Sequence, residues 1–565
     1  RTNSFTIDGV KATDAFGLNL SGNLARFSFP IPFDAVAGAA VEFAPISVEY
    51  GGFSGCNINV VTKSGGNEFE AGGFYLFNSD STTGDEINGN PYDQGSFQRK
   101  NFGVNVSGPI IKDKLFFAVN YEEFQTASVN IVGTADDMSY PVRRTIFTTA
   151  EVNQIRDILI NQYGRNVGDM VRNLPTQSER MMARFDWNIN DNHRAEFVHN
   201  TVNESTTIGD DIGTGRGEFT FSNNFYRRGT ESSTTAFRLF SDWSDVLSTE
   251  FRWSTQEVTD LQNPQGGGEQ QDPVPIPRIA IGPCGGCGTF GGEFFGQQFV
   301  DGPGTFRSAN RLATTKDQIK AKFDYSMGDH LITGGYEWEI LDVYNLFIIN
   351  ATGTVFFDSI DDLAAGTAYD IRQGVSYTQD PNDAAAIYRR DVHSLFLQDQ
   401  WTVSDNLQLT YGLRYDWYSS DDLPLLNPNY VTKYNGMTNE VGMDGLNAVQ
   451  PRVGLLYTLP EEKFGDTRMS LGFGVFSGND PTVWFSNAYQ NFGGALGVGV
   501  ASSACDPSVL NVLAGGSFSG IPSCVADAGA AQALNNLAAV NATDPNLKVP
   551  KVNRYSFGLE HNSQS

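Results

Sequence analysis

The sequence predicts an all-β fold: a large transmembrane antiparallel β-barrel. Three features indicate it, namely strands that alternate apolar and polar side chains, short turns at one end of successive strands, and connections of tens of residues at the other end. The 565 residues also contain no linker that would divide them into ordinary soluble domains. One very large β-domain is therefore favoured.

The alternation of side chains is most regular in two segments, 181–189 and 407–417. A period of two is that of a β-strand with one apolar and one polar face. On this register the side chains expected to face lipid are Phe185, Trp187, Leu409, Tyr411 and Leu413, and those expected to face the lumen are Arg184, Asp186, Gln408 and Arg414. A slip of one residue would exchange the two sets.

The connections between strands differ strongly in length. Short turns rich in Asp, Asn, Gly and Ser, which accept tight-turn dihedrals, occur at 111–114, 190–193, 244–247, 327–330 and 403–406. The long connections are 126–178, 260–306, 343–389 and 479–551. Short periplasmic turns opposite long extracellular loops are typical of an outer-membrane barrel.

A soluble β-sandwich or propeller would also alternate. Two features weigh against it. The strands reach about ten residues, the length that crosses a bilayer when the strand is tilted. Trp187, Trp243 and Trp401 lie beside short turns and Trp417 lies at the opposite strand end, as two interfacial aromatic girdles require.

Composition limits the classes of partner and of membrane segment. The net charge of −27 argues against nucleic acid as a partner. No apolar run reaches the roughly 18 residues of a spanning helix, although this excludes helical spans only. The chain begins at Arg1 without a signal peptide, and we expect it to be a piece of a longer protein.

One long connection is predicted to contain a helix over 148–163. Thr148 and Glu151 form a capping-box pattern, apolar residues follow at helical spacing, and Gly164 is placed to end the helix. We expect this helix to pack within an outer loop and to carry no chemistry.

The first 75 residues contain two segments that carry a family resemblance. Residues 5–10 read FTIDGV, and residues 48–65 read VEYGGFSGCNINVVTKSG. Both resemble the closing part of the plug of TonB-dependent outer-membrane receptors, with Cys56 where that family tends to have glycine. The resemblance implies that residues 1–66 are the C-terminal part of a plug domain and that 67–565 are an incomplete transmembrane barrel with long extracellular loops.

Further strand and turn segments resemble the Oar-like branch of these receptors. They are 107–117, 396–401, 411–416, 450–454, 474–478, 484–489 and 547–550. The resemblance implies the cell outer membrane of a Gram-negative bacterium, contact with its lipid and lipopolysaccharide, and energy from the TonB–ExbB–ExbD complex. It often implies an N-terminal carboxypeptidase-regulatory-like module; this sequence contains neither that module nor a TonB box.

The number of strands predicts whether the barrel is closed in this chain. About fourteen strands can be placed, whereas plugged outer-membrane transporters close at about 22. An edge strand in lipid would leave backbone groups unpaired at several kcal/mol each. We therefore expect an open sheet with residues 1–66 against its inner face, or further density that completes the wall.

The expected function is gated uptake of a large or scarce solute by rearrangement of the plug, with an unknown extracellular ligand that could be a siderophore, a peptide or a glycan. The alternative is a non-transporting surface receptor, an adhesin or a secretion-associated outer-membrane protein. The candidate ligand contacts, at the plug apex and in the loops, are Asn19, Asn23, Arg26, Phe27, Glu49, Tyr50, Trp484 and Tyr489.

An enzyme would need a catalytic constellation, and none is found. The five His residues form no HExxH pair, and neither a nucleophile elbow nor a phosphate-binding glycine loop is present. We expect no catalytic residues, no metal centre and no cofactor. The paired acids at 136–137, 210–211, 361–362 and 421–422 could bind calcium, but a solvated acidic surface is the better interpretation.

Four cysteines are candidates for disulfides in an oxidising compartment. Cys505 and Cys524 lie in one long outer connection and are predicted to pair. Cys284 and Cys287 form a CxxC in a loop rich in Gly and Pro. Redox or metal chemistry is a second interpretation of that CxxC, and a local disulfide is favoured because no second CxxC accompanies it.

Overall fold

The computed structural model describes residues 3–19, 23–43, 45–84, 86–91, 97–143, 145–212, 217–283, 297–478 and 482–562. They form three parts: a small N-terminal sheet, a large antiparallel sheet, and a layer of interconnected loops. Among these residues, no helix is both long and apolar enough to cross a bilayer.

The N-terminal part, here called the inner segment, comprises the described residues up to residue 66. Its four strands are β1 (Ser4–Ile7), β2 (Val10–Lys11), β3 (Val36–Phe43) and β4 (Cys56–Thr62). They lie in the order β2-β1-β4-β3, and only β1 and β4 run parallel. Asp8 and Gly9, both at positive φ, form the tight turn between β1 and β2, a conformation that glycine adopts without strain.

The large sheet, here called the wall, has fourteen strands among the described residues. They are β5 (Glu70–Ser79), β6 (Gln98–Ile111), β7 (Leu115–Val129), β8 (Asn173–Asn190), β9 (His193–Gly209), β10 (Phe225–Ser244), β11 (Leu247–Pro264), β12 (Asn310–Met327), β13 (His330–Phe347), β14 (Ala386–Ser404), β15 (Leu407–Ser419), β16 (Asn447–Thr458), β17 (Asp466–Ser477) and β18 (Lys551–Asn562). Each strand pairs antiparallel with its neighbours in this series, and β5 and β18 are the two edges. The predicted fold class and the open sheet are therefore confirmed.

The predicted register of the wall is also confirmed. Arg184, Asp186 and Arg414 are buried, and Arg184 and Arg414 contact the inner segment. On the opposite face Trp187 and Leu413 are about half exposed. The inner segment therefore lies on the lumen side of the wall, where it shares an apolar cluster with wall side chains.

The strands run beyond the lengths predicted for them, so the long connections are shorter than expected. β10 spans 20 residues, about twice the length that crosses a bilayer. Sequence alternation identifies the lipid-crossing part of such a strand but not its extension above the membrane, where the outward side chains become polar.

The extracellular connections are not separate loops. Five of them contribute to one folded layer, here called the loop cap, whose mixed sheet has the strands Phe219–Thr220, Phe299–Asp301, Arg278–Ile281, Thr354–Phe357, Asp370–Val375 and Gly497–Val500 in that order. Its core contains Phe221, Phe299, Phe357 and Leu363, each fully buried. The cap therefore has an apolar core of its own.

Helices lie mainly in the cap and the outer connections. They are α1 (Thr149–Asn161), α2 (Ile360–Ala365), α3 (Pro428–Lys433), α4 (Glu461–Phe464), α5 (Thr482–Gln490), α6 (Ala501–Ala504) and α7 (Ser523–Ala533). The predicted helix at 148–163 is confirmed as α1, with the capping box between Thr148 and Glu151 and with Ile155 and Leu159 fully buried. A short hairpin of Glu86–Ile87 and Asn90–Pro91 completes the strands.

The cap contains the predicted disulfide. Cys505 and Cys524 are bonded, with their Cα atoms 5.6 Å apart, so this prediction is confirmed. Cys284 and Cys287 lie outside the described residues. Cys56, in β4 of the inner segment, is a free and buried thiol.

Candidate functional site

The contact between the inner segment and the wall is the candidate functional site. Long stretches of the inner segment cross the lumen outside any sheet, so their carbonyl groups need other partners. Arginines of the wall supply them, since a guanidinium carries five donors in a rigid fork. The pairs are Arg252 with Gly9, Arg414 with Glu49, Arg452 with Pro45 and Ser47, and Arg554 with Ser54. Arg184 donates in addition to the carbonyl of Thr62, the last residue of β4.

Glu49 joins the inner segment to β12 by ion pairs. Its carboxylate lies 2.8 Å from Lys320 Nζ and 3.4 Å from Lys322 Nζ. Burial raises the pKa of Glu49, but the two lysines outweigh burial and hold the pKa at about 2. The carboxylate therefore stays charged at any physiological pH.

Lys11, at the end of β2, forms the reciprocal pair. Its Nζ lies 3.2 Å from Glu337 and 3.1 Å from Glu339, both on β13. Burial lowers the pKa of Lys11, and the two glutamates overcome that effect and raise it above the ordinary lysine value. A cation of the inner segment thus pairs with wall anions, and an anion of the inner segment pairs with wall cations.

Arg414 links these two pairs. Its guanidinium donates to Asp416 at 2.8 Å and to Glu337 at 3.1 Å, and it also donates to the Glu49 carbonyl at 3.3 Å. The arginine is nearly fully buried. Gly51 passes so close to it that a Cβ there would displace the guanidinium. The neighbouring Gly52 adopts a positive φ, which favours glycine.

A polar cavity of about 470 Å³ lies between the inner segment and the wall beside these groups. Its lining includes Glu49 and Tyr50 together with Arg238, Glu250 and Lys322 of the wall. Lys322 is near Met327, the short-turn end of β12. The cavity therefore lies in the periplasmic half of the lumen.

The first group of predicted ligand contacts forms one apical loop. Asn19 is buried and donates to the carbonyls of Asn23 and Leu24 at 3.0 and 2.9 Å. Arg26 accompanies it, with an ion pair to Asp260 of β11 at 2.7 Å. Asn19 therefore serves the loop's own conformation.

Asn23 and Phe27, the other two predicted ligand contacts in the apical loop, differ in exposure. The side-chain oxygen of Asn23 is buried without a hydrogen-bond partner. Phe27 is 42% exposed. Phe27 is therefore exposed at this end of the inner segment, whereas Asn23 is buried.

The structure separates Glu49 and Tyr50 from that apical loop. Glu49 pairs with lysines near the periplasmic end of β12, and Tyr50 lines the same cavity. Their expected place at the apex is therefore wrong. The sequence could not distinguish the two ends of the lumen, because the segment that holds them is not a strand of defined direction.

The two predicted loop contacts lie on one helix, α5, with different surroundings. Trp484 is 60% exposed. Tyr489 is buried, stacks on Tyr388 with ring centroids 4.6 Å apart, and shares an apolar cluster with Phe16 of the inner segment. Tyr489 therefore helps to seat the loops on the inner segment, whereas Trp484 faces outward.

The paired acids of the loops have a different role from the one expected for 210–211. Asp211 accepts from Arg278 at 3.0 Å, with both side chains nearly fully buried, and Asp210 pairs with Arg307 at 3.3 Å. The interpretation of this pair as a solvated surface was wrong, because the cap folds over it. Residues 136–137, 361–362 and 421–422 do lie at or near the surface.

In the described part of the chain, no group of three or more His, Cys, Asp or Glu side chains could hold a metal ion. Calcium binding in the loops stays a prediction. Of the wall arginines that contact the inner segment, Arg184 and Arg414 were predicted to face the lumen, whereas the sequence did not identify the others individually. Their position on the polar face of predicted strands was the available signal, since it placed them in the lumen beside the inner segment.

Comparison with known proteins defines the family. Residues 61–139 and 156–565 match the family described as "Outer membrane beta barrel domain". The chain belongs to this family. It is therefore located in the outer membrane of a Gram-negative bacterium.

Two relatives are informative. The TonB-dependent transporter Oar of Myxococcus xanthus is 24% identical over 486 residues, which are 76% of this chain and 44% of the relative. The outer membrane transporter YddB of Escherichia coli has a TM-score of 0.56 at 13% identity, over 87% of this chain and 55% of that one. The chain thus spans about half the length of the relatives it matches. The likeness to YddB concerns the fold.

Proposed function

We propose that this chain is part of a TonB-dependent transporter, in which the inner segment is the gate. It blocks the lumen and moves when force from the TonB–ExbB–ExbD complex reaches it. The observation that carries the proposal is the chemistry of the contact between the inner segment and the wall. That contact includes ion pairs and arginine-to-carbonyl hydrogen bonds, in addition to the apolar clusters that the inner segment shares with the wall.

Such a contact suits reversible movement. A hydrogen bond to a charged group contributes about 1.5–3 kcal/mol net, because water replaces the lost partner when the groups separate. Apolar contacts of the same extent would expose their area to water at about 25 cal/mol per Å². The polar cavity beside Glu49 already provides space for water within the interface.

The names of two relatives support this function, and each name describes only that relative. Oar is named a TonB-dependent transporter and YddB an outer membrane transporter. No catalytic constellation emerged from the sequence, so a role in uptake is favoured over an enzyme. The solute is proposed only as a class that needs gated passage: a siderophore, a peptide or a glycan.

Labelling of Cys56 tests the proposal. This thiol is buried in the inner segment, so a polar maleimide added to cells should reach it only when the segment moves. The variant carries Cys284→Ser and Cys287→Ser to leave Cys56 as the reporter. Cells receive a mixture of siderophores, peptides and glycans, with and without TonB.

Labelling that rises several-fold only in the presence of TonB is the expected result. Equal labelling in both strains would contradict the gate and favour the alternative, a non-transporting surface receptor or adhesin. A control maleimide reaction on protein unfolded in denaturant confirms that Cys56 is reactive once exposed.

A further inference from the structure

A second cavity lies outside the lumen. It has a volume of about 980 Å³ and is lined on one side by Arg227, Glu231, Thr259 and Arg311 of β10, β11 and β12. Glu231 and Thr259 are direct partners across two strands. They belong to the same outward-facing alternation as Phe237, which is paired with Trp253 further down the strands. The cavity is therefore on the outer face of the wall.

The position of the cavity along the strands places it above the hydrocarbon. Trp243, at the short-turn end of β10, is 62% exposed and marks the periplasmic interface. About 9–11 residues of a tilted strand cross the bilayer. Counted from Trp243, the strand therefore reaches the outer interface several residues before Arg227, since the strand has 20 residues. The cavity therefore opens at the level of the sugars that cover the outer leaflet.

The other side of the cavity is built by the segment that follows β11 and by the loop before β10. Glu269 and Gln271 line it, as does Asn223. A turn holds the first of these segments, because the amides of Gly268 and Glu269 donate to Asp272 Oδ2 at 2.7 and 3.0 Å. The cavity is thus formed by ordered backbone.

Three oxygen atoms in this lining are buried without a hydrogen-bond partner: Glu269 Oε1, Gln271 Oε1 and Asn223 Oδ1. The side chains of Glu269 and Asn223 are only 6% and 8% exposed. The amide nitrogen of Asn223 donates to Asp301, which fixes the amide with its oxygen as the open acceptor. Buried acceptors without partners destabilise a protein, and a ligand rich in donors would satisfy them.

The charge of the lining favours a neutral donor. Burial and, to a smaller extent, the charge of Asp272 raise the pKa of Glu269 to about 8 against the opposing effect of Arg311. The Glu269 carboxyl is therefore largely protonated at neutral pH.

The remaining charges of the lining balance. Arg227 and Arg311 are cationic, and Glu231 and Asp272 are anionic. Asp260, which also lines the cavity, is paired with an arginine of the inner segment. An ammonium or a phosphate would therefore gain little, whereas hydroxyl groups can donate to all three open oxygens.

We propose that this outer cavity binds a hydroxyl-rich saccharide through Glu269, Gln271 and Asn223. The saccharide has two possible sources, a glycolipid headgroup of the outer leaflet or a soluble oligosaccharide. The three acceptors belong to the loops outside the inner segment, and Asp260 is the lining residue that also pairs with the inner segment. The site gives the protein a glycan contact beside its transport path.

Binding is measured with the full-length protein in detergent. The probes are intact lipopolysaccharide, its deacylated core oligosaccharide and maltohexaose, with tri-lysine and inorganic phosphate as non-saccharide probes. We expect at least one saccharide probe to bind and neither non-saccharide probe to bind. Binding of intact lipopolysaccharide and its core identifies the leaflet as the source, and binding of maltohexaose alone identifies a soluble glycan.

The variants are Glu269→Leu, Gln271→Leu and the conservative Glu269→Gln, with Gln270→Leu as the matched control outside the lining. Loss of one hydrogen bond lowers affinity by about tenfold. We expect that loss for both leucine variants and retention of affinity for Glu269→Gln and Gln270→Leu. Glu269→Leu should also raise the melting temperature of the unliganded cap, because it removes a buried acceptor without a partner.

Three results would overturn the proposal. They are the absence of binding for every saccharide probe, saccharide binding that is unchanged in the Glu269→Leu/Gln271→Leu double variant, and binding of tri-lysine or phosphate in place of a saccharide. If a leucine variant fails to fold, the comparison of Gln270→Leu with Glu269→Gln and wild type across all five probes still decides whether a saccharide binds.

Discussion

The inner segment lies within the lumen and the loop cap is built from the outer connections, and the two regions are held in place by different sets of contacts. The cap has a continuous apolar core, with Phe221, Phe299 and Phe357 fully buried. The inner segment is held to the wall by ion pairs such as Glu49 with Lys320 and by arginines that donate to its carbonyls, together with smaller apolar clusters. An apolar core resists displacement of any of its elements, whereas polar contacts can be exchanged for water. On the function proposed here, this difference predicts that the inner segment moves while the cap stays folded.

The largest expected effect is on the core of the cap. Phe357→Ala should lower the free energy of unfolding of the cap by about 3–5 kcal/mol, because it leaves a cavity among fully buried side chains. Hydrogen exchange in strands 278–281 and 354–357 measures it. Trp484→Ala, at an exposed position, is the control and should change exchange little. A loss below about 1 kcal/mol for Phe357→Ala would contradict a cap with its own core.

Removal of the disulfide comes next. Cys505→Ser should destabilise the cap by about 3 kcal/mol, because the bond that closes the loop restricts the unfolded chain. Thermal unfolding of the purified protein with and without reductant measures it. Cys56→Ser, in the inner segment, should leave the cap transition unchanged. If reductant shifts both variants equally, the disulfide does not act on the cap.

A smaller effect is expected at the inner segment. Glu49→Gln should weaken its attachment by about 2 kcal/mol, because Lys320 and Lys322 lose the charge that neutralises them. The readout is hydrogen exchange of β1 and β4, with exchange in the cap unchanged. Glu42→Gln is the matched control, since Glu42 is an exposed acid of the same segment. Equal effects of the two variants on exchange would contradict a contribution of the Glu49 ion pairs to the attachment of the inner segment.

The smallest expected effect is a difference between the cap and the inner segment in how their stability depends on pH. Burial raises the pKa of Asp210 in the cap to about 6, with Asp211 adding to the effect and Arg307 opposing it. Because this pKa is raised on folding, the folded cap binds the proton more tightly, and its stability rises as pH falls from about 7 to 4. The pKa of Glu49 is lowered to about 2, so its contribution is complete above about 4.5 and is lost as pH falls towards 2.

Hydrogen exchange at pH 7 and at pH 5, corrected for intrinsic rates, compares the two regions directly. The cap should gain on the order of 1 kcal/mol at the lower pH, and the inner segment should change little. Asp210→Asn should reduce the gain in the cap, and adding Glu269→Gln should abolish it, because burial also raises the pKa of Glu269. A gain in the inner segment at pH 5, or a loss in the cap, would reverse the assigned signs.

The wall could be predicted from the sequence because its strands are long and alternate. The alternation in residues 407–417 shows which side chains face lipid and which face the lumen. The same period of two predicts that Arg184 and Arg414 face the lumen. The disulfide of Cys505 with Cys524 followed from their place in one oxidising loop.

The cap could not be predicted in the same way. Its strands are short, and strand 354–357 pairs with 278–281 from another loop, so neither period nor proximity in sequence indicates the sheet. The burial of Asp210 and Asp211 depends on Arg307 and Arg278 from distant positions. The position of Glu49 along the lumen depends in the same way on its ion pair with the distant Lys320. These features arise from tertiary contacts alone.

A disulfide lock tests the central claim most directly. A Cβ at Gly454 of β16 would lie 3.4 Å from the Cβ of Ile46 in the inner segment, close to the roughly 3.8 Å of a disulfide. With Ile46→Cys and Gly454→Cys oxidised, maleimide labelling of Cys56 in cells that contain TonB should be abolished, and reduction should restore it. The single variants should be labelled as wild type is. Labelling that persists in the oxidised double variant would contradict an inner segment that moves as the gate.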